Sequence, residues 1–83
     1  MSVGGKVVET IDCGDKVWVS TSEPAHPYDE PTAIYVERTA AARAISLGDS
    51  LWWQGQDAMW TPANRAFADK KLRRIGGSGV PRP

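Results

Sequence analysis

The sequence predicts an α+β fold: a small, mostly antiparallel β-sheet built from two hairpins, with a short helix packed on it. Three observations carry that reading. Two stretches of alternating β-branched and aromatic residues each fold back on a Gly-containing turn, one at Cys13-Gly14-Asp15 and one at Gly55-Gln56-Asp57. An Ala-rich segment lies between them, with helix-terminal residues at both of its ends. The chain has 83 residues, enough for one core, and its 41% apolar content is too high for a disordered chain.

The elements follow in order. Residues 6–12 set Val7, Glu9 and Ile11 on one side of a strand and Val8 and Thr10 on the other. Residues 16–22 alternate again, Val17, Val19 and Thr21 against Trp18 and Ser20. Residues 22–31 contain Pro24, Pro27 and Pro31, which can neither donate to a ladder nor continue a helix, so a long loop is expected. A third strand is expected over 32–37. In 39–47, Thr39 suits an N-cap, Ala41, Ala44 and Ile45 form an apolar stripe, and Gly48 suits a helix end. The second hairpin pairs 50–54 with 58–61. Thr61-Pro62 begins a single helical turn, and 70–75 form a last strand. Residues 1–75 read as one compact domain and 76–83, opening on Gly76-Gly77-Ser78-Gly79, as a flexible tail.

The net charge of zero hides a division. Up to Asn64 there are four basic and nine acidic side chains, a balance of −5; from Arg65 there are six basic against Asp69 alone, a balance of +5. Either the halves neutralise each other, within one chain or between subunits, or the end is a basic arm for an anionic partner. A near-neutral whole argues against a dedicated nucleic-acid domain. One Cys excludes an internal disulfide framework and a Cys-based zinc cluster. No apolar run is long enough for a membrane helix or an export signal, so a cytoplasmic protein is expected.

The pattern Ile11-x-x-Gly14-Asp15-x-Val17-Trp18 returns as Ile45-x-x-Gly48-Asp49-x-Leu51-Trp52. Gly permits the turn and Asp caps freed backbone donors, so common turn chemistry explains the echo as well as duplication does. Neither copy has the Gly-rich run of a phosphate loop.

Trp18, Trp52, Trp53 and Trp60 dominate the aromatic content. Adjacent Trp52 and Trp53 must point to opposite sides of their strand, one into the core and one toward solvent, a subunit interface or a ligand. Flat indoles are favoured at interaction hot spots and stack nucleobases, although so small a core also needs large side chains. The sites expected to bind ligand are Trp53 or Trp60 for stacking, Gln54 as a polar handle, and Arg73 and Arg74 for phosphate.

Catalysis finds little support. The single His26 could pair with Cys13 and Asp15 or Asp29, but the spacing matches no nucleophile–base pattern. His26, Asp29 and Glu30 suit a solvated loop as well as a metal site. The expectation is a non-enzymatic binding protein with no catalytic residue, metal or cofactor.

The segment from Ala41 to Pro62, ending Gly48-Asp49-Ser50-Leu51-Trp52-Trp53-Gln54-Gly55-Gln56-Asp57-Ala58-Met59-Trp60-Thr61-Pro62, resembles short proteins encoded by bacteriophages and prophages. Its order of helix, Gly turn, Trp-bearing strand, Gly turn and Met-Trp strand is also similar to the Thoeris anti-defence sponge family. That resemblance implies a homo-oligomer in the host cytoplasm that sequesters a nucleotide-type immune signal. Two rival expectations stand beside it: a protein–protein inhibitor of a host defence complex, of anti-CRISPR type, and a binder of single-stranded nucleic acid.

Overall fold

The computed structural model describes residues 3–22, 32–63 and 70–77. It overturns the α+β expectation. Strands β1 (Val3–Asp12), β2 (Lys16–Thr21), β3 (Ala33–Glu37), β4 (Ser50–Gln54), β5 (Asp57–Thr61) and β6 (Lys70–Gly77) close into an antiparallel barrel in the order β1-β2-β3-β6-β5-β4. The helix α1 (Ala40–Arg43) is a single turn of four residues. Closure satisfies both edges of the sheet, so no helical layer is needed to cover it.

Each half of the chain is a three-stranded meander, and two non-local pairings join the halves. β1 pairs with β4 through Val3↔Trp53, Gly4↔Trp52, Gly5↔Leu51 and Lys6↔Ser50. β3 pairs with β6 through Ile34↔Gly77, Tyr35↔Gly76 and Val36↔Arg74. Gly76 and Gly77, read from sequence as the start of a tail, therefore belong to the barrel wall. Residues 78–83 lie outside the described residues, as do most of the proline-rich stretch and the turn expected after Pro62.

The β1–β4 seam depends on glycine. Gly4 has φ +146°, and a Cβ there would stand 2.1 Å from the Leu51 carbonyl oxygen and 2.9 Å from the Trp52 Cα. No other residue type allows two backbones so close.

The interior is apolar. Val7, Val17, Val19, Ile34, Val36, Leu51, Trp53, Ala58, Trp60 and Leu72 form one buried cluster, joined by Ala42 of α1 and by Ile45. A β-bulge between Val7 and Glu9 changes the facing expected for β1: Thr10 pairs with inward Val19, while Ile11 pairs with outward Trp18. Trp18, on the opposite side of β2 from Val17 and Val19, is nonetheless buried, and its indole N–H has no acceptor among the described residues.

α1 is short for local reasons. Thr39 Oγ1 accepts the Ala42 N–H at 3.1 Å, the expected N-cap, but the turn ends at Ala44. The chain then bends so that Ser46 N–H donates to Asp49 Oδ2 at 2.8 Å. Duplication gains no support: the echo aligns β2 with β4, whereas the two meanders align β1 with β4. The roles differ too, since beside Gly14 it is Asp12, not Asp15, that accepts the freed N–H, at 2.9 Å.

Candidate functional site

β4 and β5 alternate strictly. Leu51, Trp53, Ala58 and Trp60 point into the barrel; Trp52, Gln54, Asp57 and Met59 point out. The two adjacent tryptophans do face opposite ways, but the solvent-facing one is Trp52. Trp53 is 7% exposed and Trp60 2%, and both belong to the core cluster, so the expected stacking role at Trp53 or Trp60 does not fit their placement. Trp52 is 43% exposed and Met59 beside it 39%.

Register builds the site. Trp52 on β4 lies opposite Met59 on β5, and Met59 lies opposite Lys71 on β6. On β1 the neighbour of Trp52 is Gly4, which carries no side chain to cover the indole. The next row is Gln54, Asp57 and Arg73, again paired across the three strands. Cross-strand neighbours stand about 4.5–5.5 Å apart at Cβ and diagonal ones about 7–8 Å, so the six side chains form one patch. Trp52, Gln54, Asp57, Met59 and Lys71, with the edge of Trp53, line a concavity of about 520 Å³.

Charge on this patch is mixed but predominantly positive. Lys71 Nζ lies 3.5 Å from Asp57 Oδ1, with both side chains about 70% exposed. Such a pair is worth no more than about 1 kcal/mol and exchanges readily with a ligand. Arg73 is exposed, and among the described residues it has no hydrogen-bond or ion-pair partner. It also borders a second concavity, of about 740 Å³, on the far side of the Asp57–Lys71 pair toward Glu37, Thr39 and Ala41.

Arg74 serves differently from the expected phosphate role. Its Nη1 donates to the Gly55 carbonyl at 3.0 Å and its backbone N–H to the Gln56 carbonyl at 2.8 Å, so it clamps the β4–β5 turn. Gly77 leaves room for it, since a Cβ there would stand 2.7 Å from Nη2. The Nε of Arg74 is buried and has no partner among the described residues. Gln54 and Arg73 are thus the two sequence-derived site residues that stand free on the patch.

Sequence reasoning passed over Trp52, Met59, Lys71 and Asp57. The signal was present in the alternation: Ser-Leu-Trp-Trp-Gln places Trp52 with the polar Ser50 and Gln54, and Trp53 with Leu51. Asp49 was also read only as a turn residue. It is a buried carboxylate that accepts the Trp60 indole N–H at 2.8 Å and the Ala63 N–H at 2.9 Å, besides that of Ser46.

Elsewhere, Asp12 Oδ1 accepts from Arg38 Nε at 2.9 Å; that bond, then the Gly14 N–H, holds the Asp12 carboxyl below its usual range. Cys13 is half-buried with its Sγ 3.6 Å from the Ile11 carbonyl. His26, Asp29 and Glu30 lie outside the described residues. No cluster of three metal-ligating side chains occurs among the described residues, and no helix there is long and apolar enough to cross a membrane.

No family model matches the chain, and neither a curated protein nor a solved structure is similar enough to it to match.

Proposed function

We propose that this small β-rich domain is a non-enzymatic binding protein whose outer β4–β5–β6 face holds a nucleotide-type ligand. The observation that carries the reading is the row Trp52–Met59–Lys71 beside Arg73: an uncovered indole next to two exposed cations. A base stacked on Trp52 gains about 1–3 kcal/mol, and Met59 adds a polarizable contact at the ring edge. Lys71 and Arg73 stand on the strand beyond, where their charges favour an anionic ligand over a neutral one. The ligand set on this reading is Trp52, Met59, Gln54, Lys71 and Arg73, with Trp53 and Trp60 supporting it from the core and Arg74 fixing the turn.

Binding without turnover suits sequestration. Together with the likeness to phage-encoded sponge proteins, it supports an anti-defence role in the host cytoplasm, with subunits associating as those proteins do.

The test is titration of nucleoside monophosphates, cyclic dinucleotides and short oligothymidylate, read by Trp fluorescence and calorimetry. Quenching that vanishes in Trp52→Ala, while the melting temperature stays within a few degrees, supports the reading. Binding of oligothymidylate alone, with a steep salt dependence, moves it to single-stranded nucleic acid. No binding by any of these, with association of two copies buried at Trp52 or capture of a host protein instead, refutes it.

A further inference from the structure

We infer that Asp57 sets the base preference of this face, selecting a base that presents two adjacent N–H donors, as guanine does. The inference rests on the nucleotide reading given above and adds a specificity determinant to it. Among the described outward-facing residues of β4, β5 and β6, Asp57 is the only carboxylate. It stands between Gln54 and Arg73 in the row next to Trp52 and lines the same concavity as the indole. A base stacked on Trp52 therefore extends its edge toward Asp57 and Gln54.

Phosphate attraction alone gives no reason to place a carboxylate here. Asp57 lowers the positive field of Lys71 and Arg73, and an anionic ligand must compete with it for Lys71. A role at the base edge accounts for its position. An ionised carboxylate only accepts, and its two oxygens match a pair of parallel N–H donors in one plane. Among the described residues its one side-chain contact is to Lys71, at 3.5 Å, which leaves most of that acceptor capacity open. Guanine offers N1–H and N2–H side by side. Adenine and cytosine each pair one donor with one ring acceptor, and uracil sets its one N–H between two carbonyls. Only guanine meets both oxygens of Asp57 without opposing an acceptor to an acceptor.

The substitution Asp57→Asn separates this role from simple charge. Removing a negative charge strengthens binding of every nucleotide alike, and so leaves their ratios unchanged. Exchanging a two-acceptor group for a donor–acceptor amide changes the ratios, because an amide complements the donor–acceptor edge of adenine.

The experiment titrates GMP, IMP, AMP, CMP and UMP against the parent protein and Asp57→Asn at one fixed ionic strength. The melting temperature serves as the folding control. The parent is expected to bind GMP about tenfold more tightly than AMP, near the low end for a bidentate contact at an exposed site. IMP, which keeps N1–H and lacks the N2 amine, falls between them. In Asp57→Asn the GMP:AMP ratio falls to one or inverts. Nucleotide binding at Trp52 with equal affinities, or a guanine preference that persists in Asp57→Asn, overturns the inference and leaves the nucleotide reading standing. No binding by the five monophosphates overturns the inference; binding insensitive to Trp52→Ala, or absent for cyclic dinucleotides as well, overturns both.

Discussion

Replacing Asp49 with Ala should remove more stability than any other single polar substitution among the described residues. The carboxylate is 4% exposed and, among the described residues, accepts N–H groups from three parts of the chain. Ser46 lies on the α1–β4 connection, Trp60 on β5, and Ala63 just beyond β5. A hydrogen bond to a charged acceptor contributes roughly 1.5–3 kcal/mol. In Asp49→Ala the Ser46 and Ala63 amides are near enough to solvent to regain water. The Trp60 indole N–H is buried and bears the desolvation cost of about 1–3 kcal/mol. The expected loss is about 3–5 kcal/mol, against a total of roughly 4–12 kcal/mol at the usual stability per residue. Asp49→Asn should lose about 2–3 kcal/mol, since one amide oxygen still accepts while the NH2 meets a donor. Urea unfolding followed by far-UV circular dichroism measures both. A cycle with Trp60→Phe should show a coupling of about 1.5 kcal/mol or more. A loss below about 1 kcal/mol in Asp49→Ala, or additivity within about 0.5 kcal/mol in the cycle, would refute the reasoning.

Gly4→Ala should cost about 3 kcal/mol or more, because its Cβ would meet the Leu51 carbonyl, and the positive φ is strained for any L side chain; a melting temperature equal to that of the parent would sink that account. The Asp12 carboxyl is held below 3.8, so its stabilising contact is present above that pH and is lost as pH falls through the depressed folded value. Arg38→Ala should raise the Asp12 titration midpoint toward 3.8, read from its carboxyl carbon by NMR, and an unmoved midpoint would show that the Gly14 N–H alone sets it.

Much of the local structure was legible in the sequence because it is decided within a few residues. The six extended segments, the turns at Gly14 and Gly55, the Thr39 cap and the opposed facing of Trp52 and Trp53 all follow from alternation and turn chemistry. The differences have separate causes. The facing of β1 depends on a bulge, which a pattern of period two does not announce. Arg74 looks like any other basic residue until the β4–β5 turn is brought against it. The outward facing of Trp52 is written in its own strand, where it shares a side with Ser50 and Gln54 while Trp53 shares one with Leu51.

What the sequence determined by itself was therefore the set of strands and, on the unbulged strands β2, β4 and β5, which side chains share a face, since both depend on covalent geometry and near neighbours. Tertiary structure alone decided that the strands close into a barrel. The β1–β4 and β3–β6 pairings join residues 38 to 50 positions apart, and their free energy comes from burying Val7, Ile34, Leu51 and Trp60 together, with Gly4 admitting the approach. Pairing within the β4–β5–β6 meander brings Trp52, Met59 and Lys71 into one row, and closure adds Gly4 of β1 beside the indole.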